Sequence, residues 1–223
     1  MDTQTRPRRS MLYVPGSNER ALEKAQTLMA DSFIFDLEDS VAPDKKPFAR
    51  KQVCDSISRG GYGKKELLVR VNGLNTEWGY QDICSLARSG AEGIVIPKVE
   101  SANVIKIVES ILHEHNAPKD LLLWCMLETP LGILNAKTIA QSSRRLGGFI
   151  MGTSDLAKDL FVTHTKERLP LMYSLGHCLV VARAYGLSIL DGVYLDLNNY
   201  EGFNHACIQG KEMGFDGKTL IHP

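Results

Sequence analysis

What this sequence lacks narrows it first. It has no surplus of charge of either sign, 26 Lys plus Arg against 26 Asp plus Glu, so nothing in its balance draws it to a phosphate backbone or an anionic lipid surface. Neither nucleic acid nor a membrane is expected as a partner. No apolar run approaches the roughly 20 residues that span a bilayer. The basic start, MDTQTRPRR, meets Pro15 and Gly16 before a signal-peptide core could form, so a soluble cytoplasmic protein is expected. The five cysteines (Cys54, Cys84, Cys125, Cys178 and Cys207) are an odd count with no CxxC pair. That argues against a disulfide frame or a zinc site and suits a reducing compartment. The six histidines show no HExxH spacing and there is no GxSxG, so metalloprotease and serine-hydrolase chemistry fall away. There is no Pro/Ser-rich linker and no low-complexity tract. One domain is expected over residues 10–223, behind a flexible tail, residues 1–9.

What is present is alternation. Eight short apolar runs, Met11 to Val14, Phe33 to Leu37, Leu67 to Val71, Gly93 to Ile96, Leu121 to Leu127, Gly148 to Met151, Leu187 to Leu190 and Thr219 to Ile221, are separated by longer amphipathic stretches. The runs lack the in-and-out pattern of a half-exposed strand and read as strands buried on both faces. Between them, Ser101 is expected to cap a helix, Ser17 or Asn18 to open another, and Gly214 to close one that begins near Glu201. A further stripe, Leu171, Leu175, Cys178, Leu179 and Ala182, ends before Gly186. Eight strands joined mostly by helix-length connections predict a (β/α)8 TIM barrel, a fold of roughly 250 residues, with an open doubly wound sheet as the alternative. The eighth helix and any carboxyl-terminal lid are not in this sequence.

A barrel of this kind places its chemistry at the carboxyl ends of the strands, and those ends are polar here. Glu38 and Asp39 follow the second run, Arg70 and Asn72 the third, Lys98 and Glu100 the fourth, and Glu128 the fifth. Ser154 and Asp155 follow the sixth, Asp191 and Asp196 the seventh, and His222 the eighth. Converging carboxylates repel one another, and a hard divalent cation neutralises them with oxygen ligands; this points to Mg2+ rather than zinc. Each acid taken alone also fits an exposed loop or a helix cap. Arg70 is suited to gripping a carboxylate as a fork, or to pairing with a nearby acid. The PGSNER turn at 15–20 feeds a helix start where Arg20 and free N–H groups could hold a phosphate.

Seven ordered segments, LYVPGSNER (12–20), FDLEDSVAPDKKPFAR (35–50), VRVNG (69–73), IVIPKVES (94–101), LETPLGILN (127–135), GTSDLAKDL (152–160) and GFDGKTLIHP (214–223), resemble the citrate lyase beta-subunit-like CoA-ester lyases. That group includes malyl-CoA and citramalyl-CoA lyases and lies in the HpcH/HpaI aldolase superfamily. The resemblance implies a (β/α)8 barrel, Mg2+ as cofactor, a CoA-thioester substrate and a homotrimer or a multiple of it. It implies Glu128 and Asp155 as metal ligands, and Arg70, Glu38 and Asp39 as the catalytic group. Substrate would be held by Arg70, Glu128 and Ser154, with Arg20 and Lys24 near the CoA phosphates. Family members continue past IHP into a segment that covers a neighbouring subunit's active site and brings an Asp used in proton transfer. If the chain ended here, that transfer would fall to Glu38 or a metal-bound water.

The expected reaction is cleavage of a short 3-hydroxyacyl-CoA to acetyl-CoA and a 2-oxo acid, with citramalyl-CoA giving pyruvate as the preferred case. Malyl-CoA, giving glyoxylate, differs by one methyl. A citryl thioester needs a pocket for one more carboxylate, and no second Arg stands near Arg70 in the sequence. Two other classes compete: a CoA-independent metal aldolase, indifferent to Arg20 and Lys24, and a non-catalytic CoA-ester-binding subunit.

Overall fold

The computed structural model describes residues 6–223, and each of the eight apolar runs lies on a strand. They are β1 (Ser10–Pro15), β2 (Ser32–Asp36), β3 (Glu66–Arg70), β4 (Gly93–Ile96), β5 (Leu122–Leu127), β6 (Leu146–Met151), β7 (Ser188–Asp191) and β8 (Gly217–Leu220). All pair in parallel in chain order, and β8 returns to pair with β1, closing a barrel. The connections carry α1 (Glu19–Ala25), α2 (Lys46–Arg59), α3 (Gly79–Leu86), α4 (Ala102–Glu114), α5 (Pro130–Leu134), α6 (Ala136–Ala140), α7 (Thr153–Asp159), α8 (Met172–Ala184) and α9 (Tyr200–Met213). The TIM-barrel expectation holds, and the open sheet is excluded by the β1–β8 pairing. Among the described residues no helix is long and apolar enough to cross a membrane.

The local signals act as their chemistry dictates in most places. Asn18 caps α1 by accepting the Ala21 N–H at 3.1 Å. Gly214 ends α9 at φ 99°, a left-handed conformation that glycine adopts without strain. Ser101 occupies the N-cap position of α4 in extended backbone, but its side chain makes no cap bond. It marks the boundary without supplying the hydrogen bond expected of it.

Strand parity sorts the side chains into two cores. One alternate set from seven strands, Met11, Ile34, Leu68, Val95, Trp124 with Met126, Ile150 and Leu190, fills the barrel interior. The opposite set packs outward against the helices, as Phe33, Phe35, Val69, Ile94 and Phe149 do. Trp124 is the largest fully buried side chain, and a Cβ on Gly148 would collide with its ring.

On β2 and β3, two residues toward the start of the strand, the same inward parity places Ser32 and Glu66 in a polar floor, which Arg8 joins from just before β1. Arg8 donates from Nε and Nη2 to the two carboxylate oxygens of Glu66, both at 2.7 Å, and its guanidinium lies 5.1 Å from the Trp124 ring centroid. Ser32 donates to the same carboxylate at 3.0 Å. Of the expected tail, Arg6, Arg8 and Arg9 are held by acids. Residues 1–5 lie outside the described residues, but Arg6 pairs with Glu92, Arg8 is buried, and Arg9 holds Asp31 through its backbone N–H and its guanidinium. Basic residues read as loose from composition are tethered because each finds an acid at the base of the barrel.

Removing one partner of a buried pair leaves an uncompensated charge. Arg8→Met is therefore expected to cost about 3 kcal/mol of unfolding free energy, read as a lower urea midpoint at unchanged slope. A loss below about 1 kcal/mol, the range of exposed pairs, would show that the pair is not buried in solution.

Candidate active site

The inward parity that places Ile34, Leu68 and Met126 in the barrel places Asp36, Arg70 and Glu128 two residues on, at its carboxyl-terminal mouth. Asp36 and Arg70 are direct partners in the β2–β3 register. Arg70 accordingly donates from Nε to Asp36 Oδ1 and from Nη2 to Oδ2, both at 2.7 Å. This is the two-pronged geometry that only a guanidinium supplies. Asp36 also accepts the backbone N–H groups of Glu38 at 2.9 Å and Ser40 at 3.0 Å. One carboxylate thus fixes both the arginine and the loop that carries Glu38 and Asp39.

Burial would raise the Asp36 carboxyl, but the Arg70 charge and these donated bonds outweigh it and hold it below the usual carboxylate range. Burial likewise works against the Arg70 charge, and Asp36 reverses that, keeping Arg70 well above its ordinary value. The guanidinium also lies 4.9 Å from the Tyr13 ring centroid. Its Nη1 reaches Asp39 Oδ2 at 3.3 Å and lies 2.9 Å from Glu38 Oε2. The latter contact is ionic and off the N–H direction, so Glu38 Oε2 is buried without a hydrogen bond.

Across the mouth stand the two other acids. Glu128 follows β5, and its Oε1 accepts the Lys98 N–H at 2.8 Å. Lys98 presents that N–H from a left-handed backbone at φ 48°, a conformation disfavoured for a residue with a Cβ and held here by its surroundings. Gly152, at the end of β6, has no room for a side chain, because a Cβ there would collide with Glu128. Asp155 lies in the first turn of α7. The Lys98 ammonium is 3.4 Å from Asp155 Oδ2 and 3.9 Å from Glu38 Oε1.

A cavity of about 390 Å3 is lined by Asp36, Asp39, Arg70, Glu128, Ser154 and Asp155 together with Tyr13. Ser154 Oγ is buried there without a hydrogen-bond partner. Arg20 and Lys24 are not brought into it, and both lie exposed on α1.

The donors at this mouth fit Mg2+. Five carboxylates, Asp36, Glu38, Asp39, Glu128 and Asp155, face two cations, Arg70 and Lys98. Burial pushes the carboxyls of Glu38 and Glu128 each up to about 7, the mark of a site short of positive charge. All these donors are oxygen. Among the described residues no cluster of three or more His, Cys, Asp or Glu could hold a metal unaided. Two carboxylates plus water and substrate oxygens is the coordination Mg2+ accepts and zinc does not favour.

Asp36, Tyr13 and the Lys98 N–H were not singled out from the sequence. For Asp36 the signal was present: a charged residue inside an apolar run, at the parity of Ile34 and one strand away from Arg70.

Two measurements check this geometry. Because Asp36 is held below its unfolded value, its contribution to stability is present above the unfolded carboxylate range, near pH 4, and is lost as pH falls through it. Asp36→Asn should lower stability at pH 7 by at least about 2 kcal/mol and flatten its fall between about pH 5 and 2; an unchanged acid limb would contradict this. Gly152→Ala should keep the fold by circular dichroism yet weaken divalent-metal binding at least about tenfold by displacing Glu128. Wild-type affinity would show that Glu128 does not need its present position.

The chain matches the HpcH/HpaI aldolase/citrate lyase family over residues 9–223. It is 50% identical over 223 residues to a (3S)-malyl-CoA thioesterase of Cereibacter sphaeroides (strain ATCC 17025), the match covering all of this chain and 76% of that protein. It is 39% identical over 224 residues to the citrate lyase subunit beta of Escherichia coli K12, covering 98% of this chain and 74% of that one. Among solved structures, the citrate lyase beta subunit of Mycobacterium tuberculosis complexed with oxaloacetate and magnesium aligns with a TM-score of 0.82 at 26% identity, over 100% of this chain and 95% of that one. Protein CitE of the same organism, in complex with magnesium, acetoacetate and coenzyme A, aligns with a TM-score of 0.78 at 27% identity, over 97% and 77%. A barrel with this mouth, matched along nearly its whole length, belongs to the HpcH/HpaI aldolase/citrate lyase family, among whose members are enzymes that act on CoA esters.

Proposed function

We propose that this protein is a Mg2+-dependent carbon–carbon lyase that cleaves a short 3-hydroxyacyl-CoA to acetyl-CoA and a 2-oxo acid. The observation that carries the reading is the fork of Arg70, fixed by Asp36, in one cavity with the Glu128 and Asp155 carboxylates. Of the five N–H groups of Arg70, two are spent on Asp36, one on Asp39 and one on a weak contact to the Met126 sulfur at 4.0 Å, leaving one free donor and one weakly held donor for the carboxylate of the oxo acid half. A preorganised donor of this kind is worth roughly 3 kcal/mol of barrier. Mg2+ on Glu128 and Asp155 would supply Lewis acidity toward the hydroxyl and carboxylate oxygens of the substrate.

Glu38, half-buried and poised near neutrality, would take the hydroxyl proton as the bond breaks and the thioester fragment leaves as an enolate. Ser154 Oγ, lacking a partner, adds a hydroxyl to the substrate side. Arg20 and Lys24 would meet the CoA phosphates outside the mouth, and the same proposal includes assembly as a homotrimer or a multiple of it.

Citramalyl-CoA, the substrate preferred from the sequence, and malyl-CoA differ by a methyl worth about 1–3 kcal/mol of discrimination. The half-identical relative's name, (3S)-malyl-CoA thioesterase, puts malyl-CoA first. That name also supports a second reading, hydrolysis of the thioester to malate and free CoA.

One assay separates them. The protein is incubated with (3S)-malyl-CoA or citramalyl-CoA, with Mg2+ or excess chelator, beside Asp155→Ala, and 2-oxo acid and free CoA thiol are both measured. The lyase reading predicts glyoxylate or pyruvate with acetyl-CoA, abolished by the chelator and reduced at least about 1,000-fold by Asp155→Ala. Malate with free thiol and no oxo acid would replace it with the hydrolase. Absence of turnover of both esters would overturn both.

A further inference from the structure

On the outer wall of the barrel, between α3 and α4, lies a group that the mouth does not use. The Cys84 sulfur, on α3, is 3.1 Å from Nε2 of His115, which follows α4. The Tyr80 ring, one turn earlier on α3, meets the His115 ring edge-on with centroids 6.4 Å apart. Arg88 donates from Nε to the His115 carbonyl at 3.2 Å, bringing a guanidinium beside the pair. Cys84 and His115 are both half-buried and Tyr80 is exposed, so a small reagent has access.

The other cysteines have different surroundings. Cys125 and Cys178 are buried, and burial pushes both thiols up. Cys54 and Cys207 are half-buried, and burial pushes these thiols up as well. The side-chain contact of Cys54 is to a backbone carbonyl, Ser85 O, at 3.8 Å, where no base can take its proton. Among the described residues, Cys84 is the thiol set against an imidazole nitrogen.

We propose that Cys84 and His115 form a reactive thiol–imidazole pair, a modification site for small electrophiles and in particular for hydroperoxides. The sulfur attacks the peroxide oxygen, forming the S–O bond as the O–O bond breaks. The thiol proton passes to His115 Nε2 and from it to the departing oxygen. Cysteine is oxidised by two electrons to the sulfenic acid, and hydrogen peroxide is reduced to water. The imidazole acts as a general base within hydrogen-bond reach of the nucleophile. The pair lies two residues from Asp82, which accepts from Asn72 N and Nδ2 at 2.9 and 2.7 Å. The modified helix is thus the one that anchors the loop after Arg70.

The test is a rate comparison within one folded chain. Wild type, His115→Gln and Cys84→Ser are treated with substoichiometric hydrogen peroxide and dimedone, or with iodoacetamide alone, and adducts are mapped by peptide mass spectrometry. Cys54 and Cys207 serve as internal references for folding and reagent. The pair predicts labelling of Cys84 at least about tenfold faster than of Cys54 or Cys207. It also predicts that His115→Gln lowers the Cys84 rate to theirs while theirs stay unchanged. A Cys84 rate equal to the references, or one unaltered by His115→Gln, would overturn the proposal.

Discussion

The mouth of this barrel depends on one carboxylate. Asp36 is buried, accepts both prongs of Arg70, and also takes the N–H groups of Glu38 and Ser40. A buried charge is tolerated only when paired and hydrogen-bonded, and Asp36 has four such bonds. Without it, Arg70 would keep only its Nη1 contacts to Glu38 and Asp39, and the loop carrying those two acids would lose its anchor. The stability cost of charge at this depth is accepted where the cavity needs a rigid fork.

The interior is layered by parity. Arg8, Glu66 and Ser32 form a polar floor, Ile34, Leu68, Val95, Trp124 and Ile150 a dry middle, and Asp36, Arg70 and Glu128 an ionic top. The middle layer separates the two charged layers with apolar side chains. That low-dielectric setting strengthens the pairing of Arg70 with Asp36 and, by the same physics, raises the carboxyls of Glu38 and Glu128, which lack full partners. The excess of carboxylate at the top layer is what the proposed divalent cation would offset.

Much of this was legible in the sequence, for identifiable reasons. The eight strands announce themselves because a parallel barrel buries both faces, so each run is mostly apolar rather than alternating, and the capping of α1 by Asn18 and the end of α9 at Gly214 are local chemistry. Glu128, Asp155 and Arg70 could be picked out because they stand at strand ends. What escaped is set by pairing across distance. Arg8 reads as part of a basic tail until Glu66, 58 residues away, takes its guanidinium. Asp36 hides inside an apolar run because its role depends on register with β3, and the Lys98 N–H depends on a backbone conformation that no residue type announces. The Ser101 cap failed for the converse reason, since a residue type suited to a bond does not make one unless its side chain is turned to it.

The central claim is that the Arg70 fork and the Glu128/Asp155 pair act as one site for a 2-oxo acid and a divalent cation. Calorimetric titration of glyoxylate into the wild type and into Arg70→Lys, with and without Mn2+ as the metal, tests it most directly. The account predicts that glyoxylate binds the wild type only with metal present. It also predicts that Arg70→Lys, which keeps the charge and loses the fork, weakens that binding at least about tenfold with the metal affinity retained. Glyoxylate binding that is equal without metal, or equal in Arg70→Lys, would contradict it.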